Sequence, residues 1–384
     1  MHVPGFDLKS LWQDSVRHCD SGRLTGVVFG DLAGHSTRVN VLSLGKAAGP
    51  MAAGAVERLG DGVGRVVVVG ASATGAPHGA EVYVGDHPYP GSASFAAGRA
   101  LLRAAEELCR EDEKVLVLVS GGGSALCEVA AEGISEEELL AVHKALVRSG
   151  LPIETMNRVR SRLSAIKGGG LARALGRSLV WEGVLVDIPS GDPDAVASGP
   201  CRPLDPKTAG EFANVDRRTI GTPITLADTA ARLASDRGVE QVTGRGGTVS
   251  GSPVEEVGEE VLSHIMDGSG LLIATGEVSV PLSSEGPRGR GGRAQHLALW
   301  VLEQAKQRLP QGLEWAFLAA GSDGRDGEGA AGALVHNGCG GTPEELRWGL
   351  QHHASGEIHR RLGTLLEEHS PRTNLTDLYM AWVR

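Results

Sequence analysis

Ser120 and Ser124 bracket three consecutive glycines, Gly121, Gly122 and Gly123, in the segment KVLVLVSGGGSALCE. The branched apolar run before them predicts a buried strand that opens into a loop with bare backbone amides. Such a loop suits an anion, most often phosphate. The same glycines serve equally well as a turn that lets a strand and a helix pack, because glycine motifs also match by chance. A phosphate site wants a cation close by, yet the nearest charged residue downstream is Glu128.

Cations that could serve lie elsewhere. Lys46 follows the apolar run VNVLSLG at the start of a helical pattern, a position that faces the cleft at a strand end. Taken alone, a surface lysine is the commoner outcome. Arg290 and Arg293 stand among glycines in GRGGRAQ, at another helix start. An arginine held there grips a carboxylate or phosphate through two hydrogen bonds, unless the loop is simply basic and open.

Two acidic loops complete the set. Asp187, Asp192 and Asp194 in DIPSGDPDAVASGP are hard oxygen donors suited to Mg²⁺. Singly, aspartates and prolines of this kind only make turns. Asp323, Asp326 and Glu328 in GSDGRDGEG form the second loop, without the alternating ligands of an EF-hand. His87, between Asp86 and Pro88, reads as a ligand or base, or as a turn histidine.

Jointly these pieces are stronger than any one of them. Glycine-amide loops, acidic loops and cations, all at strand ends, are the parts needed for phosphoryl transfer. There is no complete Walker A sequence: GASATGAP, from Gly70, lacks the Lys-Ser/Thr ending. There is no G-x-G-x-x-G dinucleotide fingerprint set between a strand and a helix either.

The elements that must position these residues alternate. Buried strands at VNVLSLG, VGRVVVVG, KVLVLVSGGG and SLVWEGVLVD are separated by amphipathic helical segments such as FAAGRALLRAAEELC. ISEEELLAVHKALVRSG carries a capping box, Ser135 and Glu138. This predicts an α/β fold, Rossmann-like and three-layered, with a mainly parallel sheet and a site at the carboxyl ends of its strands. Residues 203–222 are polar and weakly periodic, which places a domain boundary near 215. A second βαβα pattern follows, opening with PITLA as a strand and leading to LLIATGEVSVPL, LEWAFLAAG and NLTDLYMAWV. The expectation is a Rossmann-like domain over 1–215 and a second α/β domain with a mixed sheet over 216–384.

The bulk composition agrees. A chain of 384 residues with 41% apolar content supports about two cores. A net charge of -10 argues against binding nucleic acid or anionic membranes. Five scattered cysteines without C-x-x-C argue against a disulfide framework and a structural zinc site, and fit a cytoplasmic protein. No signal peptide is apparent, and no apolar run reaches the ~18 residues of a spanning helix.

In order, the chain carries SLGKAAGPM, DHPYP, LVSGGGSAL, ETMNRVRSRLSAIKGGGLA, VDIPSGDPDAVASGP, GRGGRAQHLAL, AAGSDGRDGEGAAGALV and TNLTDLYMAW. This closely resembles the glycerate 2-kinases of bacteria and animals, with a glycerate-kinase-type N-terminal domain and a C-terminal MOFRL domain. The resemblance implies a two-domain enzyme that phosphorylates the 2-hydroxyl of D-glycerate with ATP and Mg²⁺, its site in the interdomain cleft. It implies central roles for Lys46 and Arg293, and phosphate binding by Gly121 to Ser124. Ser120 and Lys167 are counted with the phosphate-binding set, Asp187 and Asp192 with the metal, Asp192 with the acceptor hydroxyl, and Asp323 with the substrate. Expected partners are glycerate and ATP, with a homodimer as the oligomer in view. Relatives labelled hydroxypyruvate reductase supply the alternative activity. Two departures stand out: GGRAQH has Ala294 and His296 for an asparagine and a glutamate, and HPYPG has Gly91 for an aspartate.

Overall fold

A computed structural model of the chain describes residues 6–33, 38–110, 113–149, 151, 153–188, 191–203, 207, 210, 212–268, 270–281, 289–327, 329–368 and 372–384, the side chains at 147, 153–154, 245–248 and 250 excepted. The chain forms two compact units. One holds Asp20–Asp187 and Asp192–Gly221; the other holds Thr222–Arg384 together with Ile188–Gly191 and the leading segment through Cys19.

In chain order the helices up to Gly221 are α1 (Leu8–His18), α2 (Ser21–Val28), α3 (Ala48–Leu59), α4 (Ser92–Glu107), α5 (Gly123–Leu126), α6 (Glu136–Arg148), α7 (Ile153–Arg162) and α8 (Gly170–Leu175). The strands are β1 (Val39–Leu44), β2 (Val63–Gly70), β3 (Glu81–Val84), β4 (Lys114–Val119), β5 (Leu179–Leu185) and β6 (Val215–Gly221). They form one six-stranded sheet in the order β3-β2-β1-β4-β5-β6, parallel throughout. All six residues of β1 are buried, as expected of a strand covered on both faces. The predicted capping box at Ser135 and Glu138 is present at the head of α6.

Strand order reverses between β1 and β4. That makes the ends of these two strands the switch point of the sheet, where open α/β folds bind ligands. The loops after them begin at Gly45 and Ser120.

The second unit continues with α9 (Pro223–Asp236), β7 (Val242–Pro253), α10 (Val254–Asp267), β8 (Gly270–Ser279), α11 (Arg293–Arg308), β9 (Trp315–Gly321), β10 (Gly332–His336), α12 (Pro343–Gln351), α13 (Ser355–Leu362), β11 (Leu365–Leu366) and β12 (Asp377–Val383). Its sheet is mixed, in the order β11-β10-β9-β12-β8-β7. β12 lies antiparallel between β9 and β8, and β7 runs parallel to β8. One apolar face of α11 (Leu297, Ala298, Val301, Leu302, Ala305) enters the core of this unit with Phe317, Tyr379 and Ala381.

Three differences from the sequence expectation have local causes. PITLA is the first turn of α9: Thr222 caps it through its side chain and Pro223 sits at the first helical position, where a missing N–H costs nothing. The segment expected as a polar link from 203 to 222 ends in β6, paired to β5. Finally, α1 belongs with the second unit. Its Cys19 thiol lies 3.5 Å from Thr229 Oγ1 and its Asp14 pairs with Arg237, contacts more than 200 residues apart in sequence. Among the described residues no helix is long and apolar enough to cross a membrane.

Candidate active site

At the switch point the ends of β1 and β4 are tied together. Ser120 is fully buried; its Oγ accepts from Ala47 N at 3.1 Å and donates to Leu44 O at 3.3 Å. Lys46 N donates to Gly121 O at 2.8 Å. The turn that carries Lys46 and the glycine loop are therefore one structure. Gly122 takes a left-handed conformation, φ 78°, which turns the chain into α5.

Each loop glycine marks a close approach. A Cβ at Gly121 would lie 1.5 Å from Asp187 Oδ2, and one at Gly122 would lie 3.0 Å from Lys46 Cγ and 3.5 Å from His87 Cδ2. At Gly123 it would meet Ala197 Cβ at 2.7 Å. The loop is thus ringed by Lys46, His87, Asp187 and the turn at 196–199. Gly121→Ala drives a methyl into the Asp187 carboxylate, so loop or carboxylate must move. We expect the variant to lose about 1–3 kcal/mol of stability, the range of overpacking, and most of its turnover. Wild-type activity in Gly121→Ala would show that the Gly121–Asp187 contact is not needed.

Lys46 is exposed, as a cation at a site mouth must be. Burial, together with the Lys46 charge, lowers the pKa of His87 below its usual value, so its imidazole is neutral at pH 7. Asp187 follows β5 beside the loop. Asp192 uses its carboxylate on its own turn, accepting from Asp194 N at 2.9 Å. Within that turn Ala197 and Ser198 take positive φ, 50° and 60°. Such strain costs roughly 1–3 kcal/mol per residue and clusters at functional sites. Ser198 Oγ shares a 2.8 Å hydrogen bond with Ser124 Oγ and donates to Asn157 Oδ1 at 3.1 Å. Asn157 escaped the sequence reading because one polar residue on a basic helix carries no signal.

Lys167 does not face this loop as a free cation. Its side chain is 1% exposed and its ammonium is bound to the buried Glu128 carboxylate. Among the expected cations of this unit, Lys46 is the one beside the glycines. No group of three or more His, Cys, Asp or Glu that could hold a metal ion is found among the described residues. A magnesium ion needs only one or two protein carboxylates when substrate phosphates complete its shell, and Asp187 meets that requirement.

The second unit builds a different cluster around Arg293, the first residue of α11. Arg293 Nε donates to Asp377 Oδ2 and Nη2 to Glu277 Oε1, both at 2.7 Å. Tyr379 OH donates to Gly276 O at 3.0 Å and lies 3.2 Å from Asp377 Oδ2. Burial raises the pKa of Asp377, with the Arg293 charge opposing. Asp377, Tyr379 and Glu277 were missed in sequence, although a charge opening the apolar strand DLYMAWV is itself a signal.

Asp326 plays a structural part. Its carboxylate accepts from Ala294 N at 3.1 Å and Gln295 N at 2.7 Å, capping α11 from a separate loop. Asp323 lies in the same loop and accepts from Arg325 N at 3.1 Å. Glu328 falls outside the described residues. Burial, reinforced by Asp377, pushes the Asp326 carboxyl up to about 7 against those two amides. A folded value above the unfolded one, ~3.9, means the folded state holds the proton more tightly. This group's contribution to stability therefore falls as pH rises from about 4 to about 7. Urea midpoints should show that decline in the wild type, and a shallower one in Asp326→Asn. Equal slopes in the two proteins would exclude it.

The two departures have distinct settings. Ala294 is fully buried under this cap. His296 stacks on His353, ring centroids 5.7 Å apart, and with Trp300, Glu303 and Arg347 lines a separate cleft of about 470 Å³ that does not include Arg293. A Cβ at Gly91 would lie 2.5 Å from Asp86 Oδ2, and that carboxylate accepts from Ala93 N in the first turn of α4. Asp86 thus occupies the space beside Gly91.

Fold and site define the class: a doubly wound α/β protein with a glycine loop and a lysine at its switch point, joined to a mixed-sheet unit in which a part-buried arginine pairs with a buried aspartate. The model of a domain of unknown function, DUF4147, matches residues 8–226, and that of the MOFRL family matches residues 270–377. A D-glycerate 2-kinase of Thermotoga maritima is 31% identical over 90% of this chain and 91% of its own length. A putative hydroxypyruvate reductase of Agrobacterium vitis is 32% identical over 78% of this chain and 86% of its own. The crystal structure of a glycerate kinase from Thermotoga maritima superposes with a TM-score of 0.82, at 26% identity over 98% of both chains. The chain belongs to the glycerate 2-kinase family, built of a DUF4147 domain and a MOFRL domain, and is an enzyme of the kinase class.

Proposed function

We propose that this enzyme transfers the γ-phosphoryl group of ATP to the 2-hydroxyl of D-glycerate, giving 2-phospho-D-glycerate and ADP. The observation that carries it is the joining of Lys46 to the Gly121–Gly123 loop at the switch point, through Lys46 N to Gly121 O at 2.8 Å. Kinship with a D-glycerate 2-kinase over nine-tenths of the chain supports the acceptor.

The residues take these roles. Ser120 to Ser124 cradle phosphate through backbone and hydroxyl groups. Lys46 neutralises charge on the γ-phosphoryl oxygens as the bond to ADP breaks. Arg293, its orientation set by Asp377, binds the acid's carboxylate. The 2-hydroxyl oxygen forms the new bond to phosphorus, and its proton passes to the carboxylate of Asp192, with Asp323 as the alternative base. Asp187 would hold magnesium, with Asp192 as the second expected ligand; when bound, the ion supplies charge neutralisation on the phosphates.

A screen for ADP release over D-glycerate, L-glycerate and other small 2-hydroxy acids, with and without Mg²⁺, tests this. Phosphorus NMR of the product distinguishes the 2-phosphate from the 3-phosphate. NADH oxidation with hydroxypyruvate, without ADP release from glycerate, would overturn the proposal in favour of the activity named for the Agrobacterium relative.

A further inference from the structure

We propose that Lys167 and Glu128 form a buried clamp that positions the glycine cradle, and that Lys167 does not contact phosphate. Glu128 comes two residues after the end of α5, and Lys167 heads the Lys167–Gly170 turn. Glu128 is 0% exposed, so its carboxylate has no water to solvate it. Its Oε2 accepts from Lys167 Nζ and from His143 Nε2 at 3.1 Å; its Oε1 accepts from Ser164 Oγ at 2.5 Å and Val129 N at 3.1 Å. Burial lowers the pKa of both His143 and Lys167, with the Glu128 charge opposing it; the Lys167 ammonium, bound directly to the carboxylate, supplies the countercharge. Moving that ammonium to a bound phosphate would strand a buried carboxylate, which is strongly unfavourable.

The pair closes a circuit. Beyond Lys167, Gly168 N donates to Ser198 O at 3.0 Å and Gly169 N to Gly199 O at 2.9 Å. Ser198 Oγ returns to Ser124 Oγ at 2.8 Å, inside the cradle. The path from Ser124 through Glu128, Lys167, Gly168 and Ser198 back to Ser124 fixes the cradle against the strained turn at 196–199. Lys167 is therefore a positioning residue. Its effect on ATP binding rests on the reading above that the glycine loop holds phosphate; its effect on turnover rests also on the acceptor assigned there.

Three variants test the clamp: Lys167→Met, Glu128→Gln and the double variant. ATP affinity is measured by calorimetry, kcat and KM by ADP release, and folding by thermal denaturation. Each single variant should weaken ATP binding by about tenfold or more, because either one strands a buried group. The double variant should recover most of that loss, since no unpaired charge remains. The opposite pattern overturns the clamp: unchanged or tighter ATP binding in Glu128→Gln, with no recovery in the double variant, marks Lys167 as a phosphate ligand. Lower thermal stability with unchanged ATP affinity and kcat also overturns it, as a purely structural pair. Should the single variants fail to fold, Ser198→Ala opens the same circuit from its other side. It should weaken ATP binding, and wild-type affinity there would again overturn the clamp. A wild type that binds ATP but does not phosphorylate glycerate sinks only the acceptor assignment. One that binds no ATP sinks the clamp too.

Discussion

Lys46→Ala is expected to lower kcat/KM for phosphoryl transfer by a factor on the order of 10³ while leaving the fold intact. A single preorganised group that meets developing charge contributes 10² to 10³ in rate, and a full charge beside a phosphate lies at the upper end. The structure makes this a clean experiment. The Lys46 side chain is exposed, and the bond that fixes the turn comes from its backbone N, which alanine keeps. Loss of an exposed side chain alters stability by no more than about 0.5 kcal/mol. Thermal denaturation should therefore be unchanged while turnover collapses. Lys46→Arg retains charge but not a compact ammonium, and is expected to recover only part of the activity. Near-normal turnover in Lys46→Ala would remove the lysine from the mechanism.

Arg293→Ala is expected to be comparably severe in turnover and, unlike Lys46→Ala, to destabilise the protein. Arg293 is 37% exposed at its side chain, but its partner Asp377 is 5% exposed. Removing one partner of a fully buried pair costs 3–5 kcal/mol; with the arginine a third exposed, about 2 kcal/mol is expected. The sign of its pH dependence follows from Asp377. Its folded pKa is already raised by burial, and Arg293 is the charge that opposes the rise. Without Arg293 it rises further, and a raised carboxyl loses its contribution to stability as pH increases through the folded value. The stability deficit of Arg293→Ala should therefore be smaller at pH 5 than at pH 8. A pH-independent deficit would mean that Asp377 is not the group left stranded. Arg293→Lys keeps charge without the two-point fork, and should restore stability more than turnover.

The surroundings of the glycine loop were legible because their signals are local. A strand followed by glycines announces a loop that something approaches closely, and the Gly121–Gly123 loop is ringed by Lys46, His87 and Asp187. The alternation of buried strands and amphipathic helices predicts a parallel sheet, and its switch point falls at the two loops that carry Lys46 and Ser120. Lys167 is different, because its partner is distant in sequence. A lysine beside three glycines looks like a phosphate ligand, and nothing in its own segment reveals that Glu128, 39 residues away, has claimed it. Asp326 and Asp377 are similar: an acidic turn and a strand end, whose capping and pairing roles depend on α11 arriving beside them.

Periodicity and turn chemistry determined most of the element types, PITLA and the strand at 215–221 excepted, and with them the parallel first sheet and the mixed second one, because helix and strand patterns depend on neighbours within a few positions. Tertiary structure decided which charges stay at the surface and which are buried in pairs. Lys46 and Lys167 are the same residue type next to glycines. One remains exposed, while the other is paired with a carboxylate that burial takes out of bulk water. Desolvation assigns that difference, and it exists only once the chain has closed around the pair.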